Sequence, residues 1–184
     1  MIKKITIEVI PHLAQRYNTV GDWQFERDSE GKATAQNVKV SDLEDQEYFI
    51  LIGLHEAIEA LLCETKGVKE SEVDEFDLNW TPRPISWDTS RKPLEPGEDY
   101  NAPYYEQHQI ASGIERLIAA RMWVNWTRYE YKVDSLIESS EVHFAEKGLD
   151  EVTLVSEEPA SEEPVATFPE RAPGSTDFDD DIPF

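Results

Sequence analysis

The stretch Tyr48-Phe49-Ile50-Leu51-Ile52-Gly53-Leu54-His55-Glu56-Ala57-Ile58-Glu59 decides how this chain is read. Its first seven residues carry no charge and are apolar on every side at helical spacing, which predicts a helix buried over most of its circumference. An imidazole and two carboxylates follow at once. Residues 55 and 59 stand one turn apart on a shared face, so His55 and Glu59 project together from an interior helix. A carboxylate in that setting needs a cation, a hydrogen-bond network or a raised pKa. Ser41-Asp42-Leu43-Glu44 upstream has the form of a capping box, and Gly67 after Lys66 supplies the stop.

Toward the N-terminus the period changes. Ile5, Ile7 and Val9 alternate with Thr6 and Glu8, the pattern of a half-buried strand that Pro11 ends. Trp23, Phe25 and Arg27 alternate with Gln24 and Glu26, Asp28-Ser29-Glu30-Gly31 has turn chemistry, and Thr34 to Val40 reads as a returning strand. A small antiparallel sheet is the expectation.

Toward the C-terminus a short helix begins near Ser71, with Val73 and Phe76 turned inward and Asp74 and Asp77 adding carboxylates. Residues 79–101 hold Pro82, Pro84, Pro93, Pro96 and Gly97, a long irregular connection of a kind often tied to function. Pro103 suits the first turn of a helix running from about Tyr104 to at least Tyr131. One stripe of that helix is Ile110, Ile114, Leu117 and Arg121; its neighbour is Tyr104, His108, Ala111, Glu115, Ile118 and Met122. Both are read as packed. His108 and Glu115 are seven residues apart, two turns along one face, so His55, Glu59, Asp77, His108 and Glu115 become candidate ligands of a divalent ion, zinc or magnesium. Glu56 is the candidate general base. His12 and His143 have no comparable company and read as incidental. Trp123, Trp126, Tyr129 and Tyr131 suit core packing or a protein interface better than base stacking, given their helical spacing and acidic surroundings.

The expected architecture is therefore α+β: a small N-terminal antiparallel sheet packed on two long helices and one short one, over residues 1–149. After Leu149 the composition turns to Ser, Glu, Pro and Ala, with Glu157-Glu158-Pro159 echoed by Glu162-Glu163-Pro164. Residues 150–176 are read as a disordered acidic linker, stretched by self-repulsion and proline stiffness. Residues 177–184, Asp177, Phe178, Asp179, Asp180, Asp181, Ile182, Pro183 and Phe184, form an acidic tip too short and too charged to fold alone.

Charge narrows the function classes. The chain of 184 residues has 39 acids against 17 bases, a net of −22. Eleven acids and one base fall in residues 150–184, a net of −10, which leaves −12 for residues 1–149. Phosphate-backbone binding needs clustered Lys and Arg, and the chain offers nothing beyond adjacent pairs such as Lys3-Lys4, so direct nucleic-acid binding is not expected. Basic partner proteins suit this surface better. Cys63 is the sole cysteine, which rules out an intrachain disulfide and fits a reducing cytoplasm. No segment reaches the roughly 18 consecutive apolar residues of a membrane span.

The segment Asp177-Phe178-Asp179-Asp180-Asp181-Ile182-Pro183-Phe184 resembles the acidic tip that ends bacterial single-stranded DNA-binding proteins, which replication and repair enzymes read. The resemblance implies that Phe184 enters an apolar slot while its α-carboxylate meets a basic rim, and that the aspartates speed encounter with a basic surface. His55 and Glu56 resemble the first ligand and general base of the zincin pattern His-Glu-x-x-His, although the second ligand position holds Glu59. Glu56 and Glu59, with Asp74 and Asp77, resemble in part the magnesium-binding acids of all-α nucleoside triphosphate pyrophosphohydrolases. The domain as a whole is similar to bacteriophage proteins that share the His-Glu-x-Ile-Glu and Pro-Tyr-Tyr…His segments.

These observations lead to two expectations. The first is a phage-type accessory protein that binds host DNA replication and repair enzymes through a terminal peptide mimicking the single-stranded DNA-binding protein tip. The second is a metal-dependent hydrolase using Glu56 as base and recruited by the same tip. An independent single-stranded DNA binder is disfavoured, because the N-terminal sheet is too short for a five-stranded barrel and the charge has the wrong sign.

Overall fold

The computed structural model describes residues 1–81 and 95–155, with side chains as far as residue 147. Three strands, β1 (Lys4–Ile10), β2 (Gly21–Arg27) and β3 (Ala33–Ser41), form one sheet; α1 (Gln46–Lys66), α2 (Glu70–Asn79), α3 (Tyr105–Arg121) and α4 (Trp126–Val155) complete the fold. The class is α+β, as expected. Residues 150–155, expected to open the linker, instead form the end of α4; residues 156–176 of the expected linker and the tip 177–184 lie outside the described residues, as do residues 82–94 of the proline-rich connection. Among the described residues no helix is long and apolar enough to cross a membrane.

The sheet is mixed rather than antiparallel, with strand order β1-β3-β2. β2 and β3 are joined by a tight turn at Asp28–Lys32 and pair antiparallel, Trp23 opposite Val38. β1 pairs parallel to β3, Ile7 opposite Val38. The cause is the connection between β1 and β2, which passes over the end of β3 and is fastened there. His12 Nδ1 and Ser41 Oγ share a hydrogen bond of 2.9 Å, and the Gln15 amide donates to the same Ser41 Oγ at 3.1 Å. His12 is buried, with its ring 5.4 Å from that of Phe144 on α4. Far from incidental, it is a fastener.

Ser41 is spent in that contact, so it does not cap α1. The helix begins later, at Asp45, whose carboxylate accepts from the Glu47 N–H at 2.9 Å. It ends as expected at Gly67, which stands at φ +78° and returns its N–H to Cys63 and Glu64 carbonyls. Leu51, Ile52, Ala60 and Cys63 of α1 are buried with Trp23, Val38 and Val40 of the sheet. α2 turns Val73 and Phe76 toward this core.

The expected long helix is two helices. Met122 closes α3, Trp123 takes φ +60°, and the Asn125 side chain accepts from the Arg128 N–H at 3.0 Å to start α4. In the stripe of Tyr104, His108, Ala111, Glu115, Ile118 and Met122, Tyr104, Ala111 and Glu115 are buried, and Ile118 and Met122 pack against the core. Its neighbour does not pack, since Ile110 is 50% and Leu117 66% exposed. Of the four aromatic residues read as core or protein interface, Trp126 and Tyr129 join the core, while Trp123 is 90% and Tyr131 72% exposed.

Candidate metal centre

Three of the expected ligands meet at one point. His55 and Glu59, one turn apart on α1, converge with His108 from the first turns of α3. His108 Nδ1 is 2.9 Å from Glu59 Oε2 and 3.3 Å from His55 Nε2, and His55 Nε2 is 3.5 Å from Glu59 Oε2. His55 and Glu59 are buried. This group can hold a metal ion.

Behind it stands a supporting shell. Glu115, two turns along α3 from His108, accepts a hydrogen bond from His55 Nδ1 at 2.9 Å, on the side of the ring away from the meeting point. In a neutral His55 that bond selects the tautomer that leaves Nε2 free to ligate. The Tyr129 hydroxyl of α4 donates a short hydrogen bond to the other Glu115 oxygen. Trp23 of β2 donates its indole N–H to Glu59 Oε1 at 3.0 Å, so that Glu59 turns only Oε2 inward. Neither Trp23 nor Tyr129 was legible as a site residue; the only signals were an inward Trp on a strand facing α1 and the spacing of Trp126 and Tyr129.

Two glycines make room for the charged side chains. A methyl group at Gly97 would lie 2.4 Å from the His108 ring, and one at Gly21 would lie 2.4 Å from Glu56 Oε1. Any larger residue would displace the side chain it faces.

The remaining candidates contribute no atom to that group. Asp77 accepts from the Tyr104 hydroxyl at 2.7 Å, and the Tyr104 ring packs edge-on against His108 at 6.2 Å. Asp74 pairs with Arg16 at 2.9 Å, and Arg16 also binds the buried Asp22 at 2.7 Å. Glu56 lies against Gly21, and no described residue hydrogen-bonds to its carboxylate. Of the four acids of the pyrophosphohydrolase-like pattern, Glu59 joins the histidines, Asp74 pairs with Arg16, Asp77 pairs with Tyr104, and Glu56 lies against Gly21.

Electrostatics reflect a surplus of buried negative charge. Burial pulls His55 toward its neutral form, but the hydrogen bonds to Glu115 and Glu59 outweigh it and hold the pKa well above the usual value. Burial likewise opposes ionisation of Glu59, yet the bonds to His108 and His55 prevail and bring it down to about 2. Burial, reinforced by the Glu59 charge, pushes Glu56 well above the carboxylate range. Asp77 is raised by burial to about 7. The Cys63 thiol, one turn beyond Glu59, is pushed by burial up to about 12 and is inert. Among the described residues no lysine or arginine pairs with His55, Glu56, Glu59, His108 or Glu115. A divalent cation at the meeting point would offset that charge, and with three protein ligands it could polarise a water or substrate oxygen in a fourth position.

Comparison with family models, curated proteins and solved structures finds no match to this chain.

Proposed function

We propose that this protein is a phage-type accessory protein that binds host DNA replication and repair enzymes through residues 177–184. The observation that carries the reading is the sequence Asp177-Phe178-Asp179-Asp180-Asp181-Ile182-Pro183-Phe184, which joins four carboxylates to an Ile-Pro-Phe end. The aspartates attract a basic surface, the Phe184 ring fills an apolar slot for roughly 1.5–3 kcal/mol, and Pro183 limits the conformational freedom lost on docking. The excess of acid over base in residues 1–149 supports a protein partner over direct contact with nucleic acid. In a pull-down with exonucleases and helicases that read the single-stranded DNA-binding protein tip, a chain ending at Phe184 should capture enzyme and Phe184→Ala should not. Equal capture by both refutes the reading.

A second reading is favoured by the meeting of the buried His55 and Glu59 with the half-buried His108. In it the folded domain is a metal-dependent hydrolase, with Glu56 as general base, delivered to its workplace by the same tip. The carboxylate of Glu56 is close enough to Glu59 and His55 for their charges to act on it, and burial together with the Glu59 charge raises its proton affinity, the direction a general base needs. Hydrolysis of peptide, phosphodiester or nucleoside triphosphate substrates that requires added metal and is lost in Glu56→Gln supports this reading. Metal-loaded protein inactive on all three classes removes it.

A further inference from the structure

The geometry points to a zinc-class ion held by three atoms, His55 Nε2, His108 Nδ1 and Glu59 Oε2, with a fourth position left to water or a substrate oxygen. The inference deepens the hydrolase reading by naming the ion and its ligands, and it rests only on the metal-binding half of that reading.

The spacing of the three atoms fits a tetrahedral ion. Ligand atoms 2.0–2.1 Å from a tetrahedral zinc ion stand roughly 3.3 Å from one another. The three separations here are 2.9, 3.3 and 3.5 Å, one triangular face of such a tetrahedron. The supply of protons points the same way. With Nδ1 of His55 committed to Glu115, His55 Nε2 and Glu59 Oε2 both look to a single proton on His108 Nδ1. One proton satisfies one of them; one metal ion satisfies all three lone pairs. A doubly protonated His55 clamped between Glu115 and Glu59 is the competing arrangement. Against it, His55 Nε2 is closer to a nitrogen of His108 than to Glu59 Oε2, which at 3.5 Å is long for a charge-assisted hydrogen bond.

Ligand chemistry selects the ion. Two imidazole nitrogens with one carboxylate suit zinc and its neighbours, whereas magnesium and calcium take oxygen donors. The outer contacts have the form that metal-ligating histidines and carboxylates show, a carboxylate behind His55 and a neutral donor, the Trp23 indole, on the far oxygen of Glu59.

The test is a titration of the intact chain, stripped by a chelator, with cobalt(II) as a visible probe. One equivalent should bind with the intense absorption of four-coordinate cobalt and be displaced by zinc(II). His108→Ala and Glu59→Gln should lose the absorption. Glu115→Gln should keep the stoichiometry but bind about 10–100-fold more weakly. His143→Ala, at an exposed histidine, should match the wild type. No stoichiometric uptake by the wild type, the weak absorption of six-coordinate cobalt, or uptake indifferent to the ligand variants would overturn the assignment, and the wild-type titration decides even where a variant misfolds. Metal uptake without any hydrolysis leaves this site standing while removing the enzyme.

Discussion

His55 Nδ1 and the Glu115 carboxylate lie 2.9 Å apart although 60 residues separate them in the chain. The bond ties α1 to α3 through two buried side chains, and Tyr129 ties α4 to the same carboxylate. Position and charge state of the candidate ligand His55 therefore depend on a residue in a third helix. This chain of dependence gives the first expectation.

Tyr129→Phe removes one donor from Glu115 and leaves a buried carboxylate oxygen without its partner. A loss of about 1–3 kcal/mol in urea unfolding is expected. The same variant should bind cobalt(II) more weakly, because Glu115 no longer holds His55 in one orientation. Unchanged stability together with unchanged affinity would remove Tyr129 from the supporting shell.

Gly97→Ala places a methyl group 2.4 Å from the His108 ring, and the ring must move. Overpacking of this kind costs roughly 1–3 kcal/mol, and cobalt uptake should fall with it. Gly113→Ala on the exposed side of α3 is the contrast, since nothing lies within 4 Å of the added methyl. Replacing a helix-interior glycine there should stabilise by up to about 1 kcal/mol. Thermal melts of the two variants should move in opposite directions.

The Arg16 guanidinium is shared by Asp22, which is buried, and Asp74. Arg16→Met leaves both acids without their cation and should cost about 3 kcal/mol, near the lower end for a buried pair because Arg16 is itself partly exposed. Arg16→Met combined with Asp22→Asn should recover part of the loss. Chemical denaturation of the single and double variants measures both.

The raised pKa of Asp77 makes stability depend on pH in a definite direction. Burial places it at about 7 in the folded chain against 3.8 for the free side chain, so between those values the folded state binds more protons than the unfolded one. Its contribution is complete below the unfolded pKa and is lost as pH rises through about 7. Wild type should lose more stability than Asp77→Asn between pH 5 and pH 8, by urea unfolding on each. An equal change in the two proteins would show that Asp77 titrates normally.

Much of the site could be read in advance because it lies on helical faces. His55 and Glu59 share one turn of an apolar helix, and His108 and Glu115 share a face of the next long one, so periodicity alone paired them. The stop at Gly67 was equally local. What escaped the sequence depends on distant contacts. Ser41 and Glu44 match a capping pattern, but the Ser41 hydroxyl is taken by His12 and Gln15, which moves the cap to Asp45. The same fastening sets β1 parallel to β3, a choice that alternation in β1 cannot encode. The break at Trp123 interrupts a run whose apolar spacing continues on both sides, and Glu115 shows its role only once Tyr129 is brought beside it.

The candidate ligands come from α1 and α3, and the groups that aim them come from β2 and α4. An ion bound there would have no competent partner set in any partly assembled chain. Its binding energy would accrue only to the finished tertiary arrangement, so that scarcity of the metal would be felt as looseness of the whole domain rather than as a local vacancy.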